Sequence, residues 1–583
     1  MAFAFPSLRR IRGFLSIIIF AAAIAATLLR LARYATGSVP LRPKVTIQNT
    51  KIGAAKAGLN LNHLLGSDQR GSWDKEKAAV VREMAKHAWA GYSDYAWGHD
   101  DLKPVAKKGH DWYKSGSRML NTPVDSLDTL FIMGLTDEYN AAKELILKTL
   151  DFSKVTDRIS VFETTIRVVG GLLGAYELDG DPRLLQKCVE LVDRMMPAFD
   201  TANGIPLNFL NLSSGVAYDY NGGFNGVGLA AAGTLQLEFQ YLSDVTGDPK
   251  YQEAALYVYE QMQSMEQNIP GLFPDWLDTV SLKAPGWSFQ IGGMADSYYE
   301  YLLKVWLSTG EDKYYKYFKT AAYSIANYMV KLSDDKTHVY IPVVDITKNG
   351  DSFISSYRGK FPHLACFSGG MFAMGGIAGK DRDHWEQNFK LGAQITETCW
   401  TMYKNTVTGI GPDVVHGETL KTDDATYKLR PEAIESLFYM WRLTHDAIYR
   451  ERGWVIAQSI EKYCRDEVGY HGLQDVDNQK SAPWDKQESF FIAETLKYLY
   501  LLFTDDDTIP LEKYVFNTEA HILSVRGHGR RANPSKLVPL PTTYKVPVGQ
   551  LGSVSLALQE RRKIEADTGR GGGKSFGVEI DGG

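Results

Sequence analysis

The chain has 583 residues, with 64 Lys or Arg against 69 Asp or Glu, so its formal charge is −5. Hydrophobic residues make up 44% and charged residues 23%, which excludes a largely disordered protein. The slightly acidic balance argues against nucleic acid as the main partner, and four cysteines are too few for a disulfide scaffold. The length allows three or four domains, or one unusually large one.

An apolar segment of sixteen residues near the N-terminus, Phe14 to Leu29, decides the expected compartment. Arginines flank it on both sides: Arg9, Arg10, Arg12, Arg30 and Arg33. A membrane-spanning helix needs about 17–25 residues, and the Ala-rich end of this segment also offers signal-peptide cleavage sites. We expect residues 14–32 to form an uncleaved signal-anchor, with a cleaved signal peptide as the alternative. The positive flank keeps residues 1–13 cytoplasmic.

The rest of the chain would then lie in the lumen of the secretory pathway, Golgi or endoplasmic reticulum, as a type II membrane protein. Residues 33–75 have the composition of a polar stem, and residues 524–583 that of a disordered tail. The one N-x-[ST] sequon, at Asn211, is compatible with a lumenal fold and predicts a glycosylation site.

Five segments between residues 176 and 464 share an aromatic-rich helix end, a short turn and an amphipathic helix. Their turn residues are spaced 67, 63, 69 and 66 apart: Gly180, Gly247, Gly310, Gly379 and His445. After the second turn the apolar residues follow helical spacing: Tyr251, Ala254, Ala255, Val258 and Met262. Gly followed by Asp and Pro predicts a helix end, an N-cap and Pro at the first helical position.

A period of about 65 residues suits two helices plus a functional loop. The repetitive body runs from about Asp74 to Leu523, which is long enough for seven such pairs. Seven helical hairpins that each bury one face predict an all-α fold, an (α/α)7 barrel, with an open array as the alternative. Closure would make residues 76–523 one catalytic domain and gather the loops between helices around a central cavity.

Four segments place acidic residues in apolar surroundings and so interrupt the amphipathic pattern. These residues are Glu163 in the first segment, Asp296 and Glu300 in the second, Glu432 and Glu435 in the third, and Glu488 and Glu494 in the fourth. A buried unpaired carboxylate is costly, so such residues need arginine, metal or substrate partners. Salt-bridged helix ends would explain any one segment. Four segments at comparable places in successive repeats favour one shared acidic site formed by loops.

Converging carboxylates suit glycoside hydrolysis, in which one acts as acid and another as base. They equally suit a hard cation such as Ca²⁺, which prefers oxygen ligands. The sequence has no CxxC or HExxH zinc motif, and no GxSxG, Walker A or strand-flanked GxGxxG string.

The ordered strings over residues 78–523 resemble the class I α-1,2-mannosidases of glycoside hydrolase family 47. The matching strings include HAWAGYSDYAWGHDDLKP (87–104), VFETTIRVVGGLLGAYEL (161–178), ADSYYEYLLKVW (295–306), LRPEAIESLFYMWRLTHD (429–446), ESFFIAETLKYLYLLFTDD (488–506) and YVFNTEAH (514–521). The resemblance implies an (α/α)7 barrel, a substrate of high-mannose N-glycans and Ca²⁺ as cofactor.

The resemblance also implies roles for individual residues. Glu163 would be the general acid, and Glu432 the general base with Asp296 positioning or sharing. Thr518 would bind Ca²⁺ through its hydroxyl and carbonyl, while water molecules and sugar hydroxyls complete the ligand shell. The residues expected to contact substrate, or to hold those waters, are Arg167, His363, Arg430, Glu435, Phe490, Glu494 and Glu519.

The implied reaction is inverting removal of a terminal α-1,2-linked mannose, with Ca²⁺ holding two sugar hydroxyls and helping to position the water. The resemblance further implies a disulfide between Cys366 and Cys399, which fits an oxidising lumen. Cys188 and Cys464 fall within amphipathic helices and are expected to be core thiols.

Two residues depart from the family pattern. Met294 stands where members that remove one particular mannose usually carry Arg, which favours the Golgi-type members that trim several mannoses. Ala231 replaces a Glu that is common in the family and faces substrate there. This loss leaves a second reading open, a mannosidase-like glycan-binding factor in glycoprotein degradation with little hydrolysis. A third reading is an α/α-toroid glycosidase of another specificity.

Overall fold

Helices dominate the computed structural model, which describes residues 71–528 except 114–115, 220–225, 280, 282, 284–286, 350–351 and 380–383. In this part, fourteen helices have seven residues or more. They are α1 Lys75–Tyr95, α2 Asn121–Ile132, α3 Thr136–Thr149, α4 Gly170–Asp179, α5 Pro182–Met195, α6 Gln236–Thr246, α7 Lys250–Ser264, α8 Asp296–Thr309, α9 Asp312–Tyr328, α10 Phe367–Ala378, α11 Trp385–Lys404, α12 Glu432–Thr444, α13 Ala447–Tyr463 and α14 Lys497–Phe503. Shorter helical turns lie at Phe152–Lys154, Val161–Glu163, Met196–Phe199, Leu229–Gly233 and His363–Cys366, and π-helical turns at Thr164–Val169 and Phe491–Leu496.

Contacts between these helices close a ring. Each even-numbered helix from α2 to α12 packs against the next helix in the chain, and α14 packs against α1. The even-numbered helices also contact one another in succession from α2 to α14, and the π-helical turn before α14 returns to α2. The predicted all-α (α/α)7 barrel is therefore confirmed, and the open array is excluded.

Burial separates an inner from an outer ring. In α8 every residue from 297 to 309 is buried, whereas α3 buries only Tyr139, Ala142 and Ile146. In the outer helix α7, the predicted apolar face is buried as expected: Tyr251, Ala254, Ala255, Val258 and Met262. The inner helices are therefore surrounded by protein on all sides, while the outer helices bury one stripe.

The predicted turn residues end the inner helices α4, α6, α8, α10 and α12. Gly180, Gly247, Gly310 and His445 take the left-handed conformation, with φ of 74°, 75°, 70° and 54°. Gly379 differs, because its φ is −91°. A Cβ atom there would meet the Tyr315 hydroxyl at 2.6 Å, so close packing rather than backbone conformation requires this glycine.

Short antiparallel strands connect the helices. They are β1 Asp101–Lys103, β2 Lys108–His110, β3 Ile159–Ser160, β4 Phe209–Leu210, β5 Ala217–Tyr218, β6 Gly226–Gly228, β7 Trp276–Asp278, β8 Ser288–Phe289, β9 Lys331–Leu332, β10 Val339–Tyr340, β11 Val344–Asn349, β12 Ser352–Tyr357, β13 Lys360–Pro362, β14 Val414–His416, β15 Lys421–Asp424, β16 Gly472–Leu473, β17 Pro483–Trp484, β18 Tyr514–Phe516 and β19 Ile522–Ser524. They form sheets of two or three strands, in the orders β1-β2, β3-β4-β5, β6-β7, β12-β11-β8, β10-β9, β13-β14-β15, β16-β17 and β18-β19.

The β18–β19 hairpin lies inside the ring, where it contacts the inner helices α4, α6 and α8. Its strands pair in the register Tyr514–Ser524, Val515–Leu523 and Phe516–Ile522. The turn between the strands, residues 517–521, is thereby held among the inner helices.

The chain remains ordered beyond the boundary expected at residue 524. Ser524 belongs to β19, Val525 is fully buried, and the Arg526 guanidinium lies 3.1 Å from the carboxylate of Asp244. The predicted tail boundary is therefore too early. The predicted signal-anchor at 14–32 lies outside the described residues, as do 33–70 and 529–583. Within the described part, no helix combines the length and hydrophobicity needed to cross a bilayer.

The cysteines are arranged as expected. Cys366 and Cys399 form a disulfide that joins the turn before α10 to α11. Cys188 and Cys464 are buried free thiols, and burial raises the pKa of both. They are therefore core residues.

Candidate active site

The predicted catalytic carboxylates lie at the N-terminal ends of inner helices. Asp296 and Glu432 are the first residues of α8 and α12, and Glu163 precedes the π-helical turn that leads into α4. Inner helices alternate with antiparallel outer ones, so their N-terminal ends meet at one end of the barrel. Helix N-termini favour negative charge. The three predicted catalytic carboxylates thus lie in helical turns, not in loops as the sequence suggested, whereas Glu519 lies in the turn of the β18–β19 hairpin.

Glu163 is held by an arginine one helical turn later. The Arg167 Nε donates to Glu163 Oε2 at 2.8 Å, and Ser160 Oγ accepts the backbone N–H of Glu163 at 3.2 Å. Arg167 also pairs with Glu519 and lies 3.5 Å from Asp125 Oδ2. One buried guanidinium therefore fixes three carboxylates, including the predicted general acid.

Aromatic rings lie beside this guanidinium. The Arg167 Cζ lies 5.7 Å from the ring centroid of Phe490 and 5.5 Å from that of Trp112. The Arg167 Nη1 also donates to the Ser489 hydroxyl at 3.3 Å. Phe490 was predicted from the sequence to line the site, whereas Trp112 was not, because no motif distinguishes it from a core aromatic.

Glu432 is oriented by histidine. His363 Nδ1 lies 2.7 Å from Glu432 Oε2, and its Nε2 lies 2.7 Å from the Tyr403 hydroxyl. Arg430 donates through Nε to Asp413 Oδ1 at 2.6 Å and lies near enough to Glu432 for the two charges to attract, as the sequence suggested. Both basic residues predicted at this side are thus anchored by partners that sequence reasoning missed.

Asp296 accepts hydrogen bonds from its neighbour in the chain. The backbone N–H of Ser297 donates to Asp296 Oδ1 at 2.8 Å, and the Thr234 hydroxyl donates to the Ser297 hydroxyl at 2.8 Å. Burial, reinforced by the carboxylates of Glu300 and Glu432, raises the pKa of Asp296 to about 7. A carboxyl with such a pKa can exchange a proton near neutral pH.

Further buried carboxylates connect the part of the site around Glu163 with the part around Glu432. Burial and the nearby Glu519, Glu432 and Glu435 raise the pKa of Glu494 well above its usual range. Burial also raises the pKa of Glu435 and of Glu519, despite the cations Lys304 and Arg167 respectively. These mutual effects place the carboxylates in one electrostatic cluster, which would favour a divalent cation.

Thr518 lies at the turn of the β18–β19 hairpin, within this cluster. Its backbone N–H donates to the Tyr301 hydroxyl at 3.3 Å. In the described part, no group of three or more His, Cys, Asp or Glu side chains has the geometry of a metal site. The oxygen-only donor set and the raised pKa values of Glu435, Glu494 and Glu519 fit a hard cation such as Ca²⁺. A zinc-type site of His and Cys does not fit these residues.

The sequence profile described as Glycosyl hydrolase family 47 matches residues 84–525. Mannosyl-oligosaccharide 1,2-alpha-mannosidase IB of Homo sapiens is 40% identical over 481 residues, 80% of this chain and 72% of that protein. Mannosyl-oligosaccharide alpha-1,2-mannosidase IA of Drosophila melanogaster is 40% identical over 463 residues, 78% of this chain and 68% of that protein.

The chain belongs to glycoside hydrolase family 47. Among solved structures, alpha-1,2-mannosidase from Trichoderma reesei matches with a TM-score of 0.70 and 28% sequence identity, covering 78% of this chain and all of that one.

In this family 47 barrel, a buried network of paired charged side chains supports the residues of the site. His521 Nε2 lies 3.0 Å from Asp125 Oδ1, and its Nδ1 lies 3.1 Å from Asp128 Oδ2. Lys497 Nζ lies 2.9 Å from Asp128, and Asp125 lies beside Arg167. Burial lowers the pKa of His521, but its two carboxylate partners raise it by more, so the net shift is upward. The VDSLD string could have signalled this network, because its acidic residues at 125 and 128 interrupt an otherwise apolar helix.

Four non-glycine residues beside the site adopt the left-handed conformation. Leu120, Met294, Leu429 and Ala520 have φ of 54°, 79°, 64° and 59°. Leu120, Met294 and Leu429 precede Asp125, Asp296 and Glu432, respectively, by two to five residues, and Ala520 follows Thr518 by two. Such strain persists where the surrounding structure holds the backbone firmly, as in active sites. Sequence patterns do not predict it at Leu or Met.

The two departures from the family pattern lie side by side. A Cβ atom on Gly228 would meet Met294 Cε at 2.8 Å and Ala231 Cβ at 3.9 Å. The Ala230 N–H donates to the Met294 carbonyl at 2.7 Å, and Met294 is 37% exposed. Met294 and Ala231 therefore form one apolar patch on the barrel.

The predicted glycosylation site lies in the turn between β4 and β5, apart from the acidic cluster. The Asn211 amide Nδ2 donates to the Thr156 carbonyl at 2.6 Å, and Ser213 is exposed. Glycosylation at Asn211 stays a prediction.

Proposed function

We propose that this chain is a Ca²⁺-dependent, inverting exo-α-1,2-mannosidase that trims high-mannose N-glycans during glycoprotein processing. Enzymes of this class need an acid on one side of the glycosidic bond and a base on the other. The observation that supports the proposal is that Glu163 and Glu432 are each held by a basic partner, Arg167 or His363, and that Glu519 and Glu494 link them electrostatically.

Glu163 is the proposed general acid, which gives its proton to the leaving glycosidic oxygen. Arg167 orients the carboxyl, and its further bonds to Glu519 and Ser489 keep the guanidinium in place. Phe490, beside Arg167, offers a ring face against which a sugar can stack. The acid is therefore fixed by buried groups that do not themselves transfer a proton.

Glu432 is the proposed general base, which takes a proton from the attacking water. His363 holds its carboxylate, and Arg430 is fixed near by through Asp413. Asp296 positions the same water or shares the proton, in keeping with its pKa of about 7. An inverting site needs carboxyls about 6.5–9.5 Å apart so that water fits between them.

Ca²⁺, when bound, supplies a Lewis acid that holds sugar hydroxyls and polarises water. Thr518 is the proposed protein ligand, and the carboxylates of Glu435, Glu494 and Glu519 would accept hydrogen bonds from its bound waters. The raised pKa values of these acids support the assignment, since a nearby cation relieves their mutual repulsion.

Met294, in the apolar patch beside Ala231, supports trimming of several mannoses rather than one, as in Golgi-type members. Without charged side chains at this rim, fewer hydrogen bonds discriminate between glycan branches. The disulfide, the sequon at Asn211 and the apolar segment at 14–32 support a place in the secretory pathway lumen, with the chain anchored as a type II membrane protein.

The test follows the product ladder of a labelled high-mannose N-glycan incubated with the protein from Gly71 onwards, with and without EDTA. We expect Ca²⁺-dependent loss of several mannoses. Loss of a single mannose would retain the hydrolase and contradict the role of Met294. Activity that survives EDTA would contradict the cofactor assignment.

The second candidate is a glycan-binding factor with little hydrolysis, which Ala231 favours. Its expected result in the same assay is retention of the glycan without release of free mannose. In that case Ala231→Glu should restore turnover, because the substitution returns a carboxylate to the patch beside Met294.

A further inference from the structure

Glu238 is a fully buried acid that forms no direct ion pair with any described residue, although His521 is near enough for its charge to act on Glu238. It lies in the first turn of α6. Its Oε1 accepts hydrogen bonds from the Tyr301 hydroxyl at 2.6 Å and from the Asn517 amide Nδ2 at 2.8 Å. Its Oε2 is buried and has no hydrogen-bond partner among the described residues.

Burial of such a group is unfavourable, because an unsatisfied buried acceptor costs about 1–3 kcal/mol and a buried charge costs more. Burial raises the pKa of Glu238 to about 7, although Tyr301 and Asn517 donate hydrogen bonds to it. A hydrophobic residue of similar size would avoid this cost. The position of Glu238 therefore calls for a role that an apolar side chain cannot fill.

That role is visible in how Asn517 is oriented. The Asn517 Nδ2 donates to Glu238 Oε1 and, at 2.8 Å, to the Ile166 carbonyl, so its Oδ1 faces the other way and accepts the backbone N–H of Glu519 at 2.9 Å and of His521 at 2.8 Å. These two bonds fold residues 517–521 into the turn that carries Thr518. A flipped amide would present its NH₂ to these N–H groups and break both bonds.

Tyr301 forms the second link. The backbone N–H of Thr518 donates to the Tyr301 hydroxyl at 3.3 Å, and the hydroxyl donates to Glu238. Glu238 therefore holds the Thr518 turn from both ends, through Asn517 on one side and Tyr301 on the other.

We propose that Glu238 is a positioning residue that sets the orientation of Asn517 and Tyr301 and thereby aims Thr518 at the calcium ion. This inference rests on the calcium site of the proposed function. Glu238 does not touch the metal or the sugar, and it acts through the turn.

The primary test compares calcium affinity by isothermal titration of the metal-free protein. Glu238→Leu removes both acceptors and should weaken calcium binding about tenfold or more, as loss of outer-shell support does at other metal sites. Glu238→Gln keeps an acceptor for Asn517 and Tyr301 and should remain close to the wild type. The matched control is Leu237→Ala, a buried neighbour in α6 with no polar link to the turn, which should lower the melting temperature without lowering calcium affinity.

A reciprocal exchange tests the link independently of hydrophobic substitution. Asn517→Asp alone places a second carboxylate against Glu238 and should weaken calcium binding. The double substitution of Asn517→Asp with Glu238→Gln restores one donor and one acceptor across the same contact. It should recover part of the lost affinity, since the Ile166 carbonyl still lacks its Asn517 donor. Recovery by a second substitution in another element is not expected from a general loss of stability.

A double variant that binds calcium no better than Asn517→Asp would overturn the inference, as would a folded Glu238→Leu variant with wild-type affinity. Both results leave the proposed function intact. A wild-type protein that binds no calcium would overturn the inference together with the cofactor assignment, so the two failures are distinguishable.

Discussion

Glu163 is the residue whose role is most directly testable. Glu163→Gln keeps the size of the side chain and an acceptor for Arg167 but cannot give a proton. General acid catalysis contributes about 10²–10⁴ in rate, so we expect kcat for mannose release to fall about a thousandfold. Glycan binding, measured by titration in the presence of calcium, should persist.

The matched control is Glu83→Gln, an acid on α1 whose side chain is 65% exposed. It should trim the glycan at the wild-type rate. If Glu163→Gln also trims at that rate, another residue is the general acid.

Tyr403 is expected to affect catalysis indirectly, through His363. Its hydroxyl lies 2.7 Å from His363 Nε2, and the opposite ring nitrogen contacts Glu432. Tyr403→Phe leaves His363 free to rotate and should lower kcat about tenfold with little change in KM, because the lost orientation matters chiefly in the transition state.

Tyr314→Phe is a suitable control, since the Tyr314 hydroxyl is buried and has no hydrogen-bond partner among the described residues. It should leave kcat unchanged. An equal loss of kcat in both variants would assign the effect to packing, and an unchanged kcat in Tyr403→Phe would remove the positioning role.

At the scale of elements, the β18–β19 hairpin is fastened by buried lysines. Lys497 Nζ donates to the Ala520 carbonyl at 2.7 Å and lies 2.9 Å from Asp128. Lys304 pairs with Glu300 and reaches the Asn517 carbonyl at 3.4 Å. The hairpin that carries Thr518 is thus tied to α14 and α8 as well as to α6.

Lys497→Met should destabilise the protein by up to about 3–5 kcal/mol, the cost of breaking a buried ion pair, with His521 compensating part of the charge left on Asp128. Denaturant unfolding measures the change. The double substitution of Lys497→Met with Asp128→Asn should recover part of the loss. Lys148→Met, at a side chain that is 72% exposed, should cost less than about 1 kcal/mol. Equal effects at both lysines would contradict the role of Lys497.

Periodicity predicts helices well but not their surroundings. The spacing of Gly180, Gly247 and Gly310 predicted inner-helix ends, because a left-handed C-cap has a local sequence signal. The same spacing at Gly379 marks a close packing contact with Tyr315, which no local pattern encodes. Likewise, Ser524 reads as the start of a tail, yet pairing with Tyr514 across the hairpin makes it part of a strand.

For the whole molecule, the sequence predicted ring closure from the count of helix pairs, and it predicted the acidic site residues from motif strings. It did not predict what holds them. Partners such as Asp413 for Arg430 and Tyr403 for His363 come from elements distant in the chain. The sequence did not single out Glu238 either, because its importance depends on its hydrogen bond with Asn517 of the β18–β19 hairpin, which is distant in the chain.

The concentration of buried acids predicts how stability depends on pH and calcium. Asp296 and Glu238 have pKa values of about 7 in the folded state, against 3.8 and 4.5 in the unfolded chain. Groups whose pKa is raised by folding stabilise the protein fully below the unfolded value and lose that contribution as the pH rises through the folded value. The raised pKa values of Glu435, Glu494 and His521 act in the same direction.

The metal-free protein should therefore lose stability between about pH 4 and pH 7, by on the order of 3 kcal/mol at most for each of Asp296 and Glu238. The proposed calcium site requires an ionised cluster, so the increase in melting temperature on adding calcium should be larger at pH 8 than at pH 5. Thermal unfolding at both pH values, with calcium, with magnesium and without either, measures this. A calcium effect of equal size at the two pH values, or a metal-free protein more stable at pH 8 than at pH 5, would show that these acids are not protonated in the folded metal-free state.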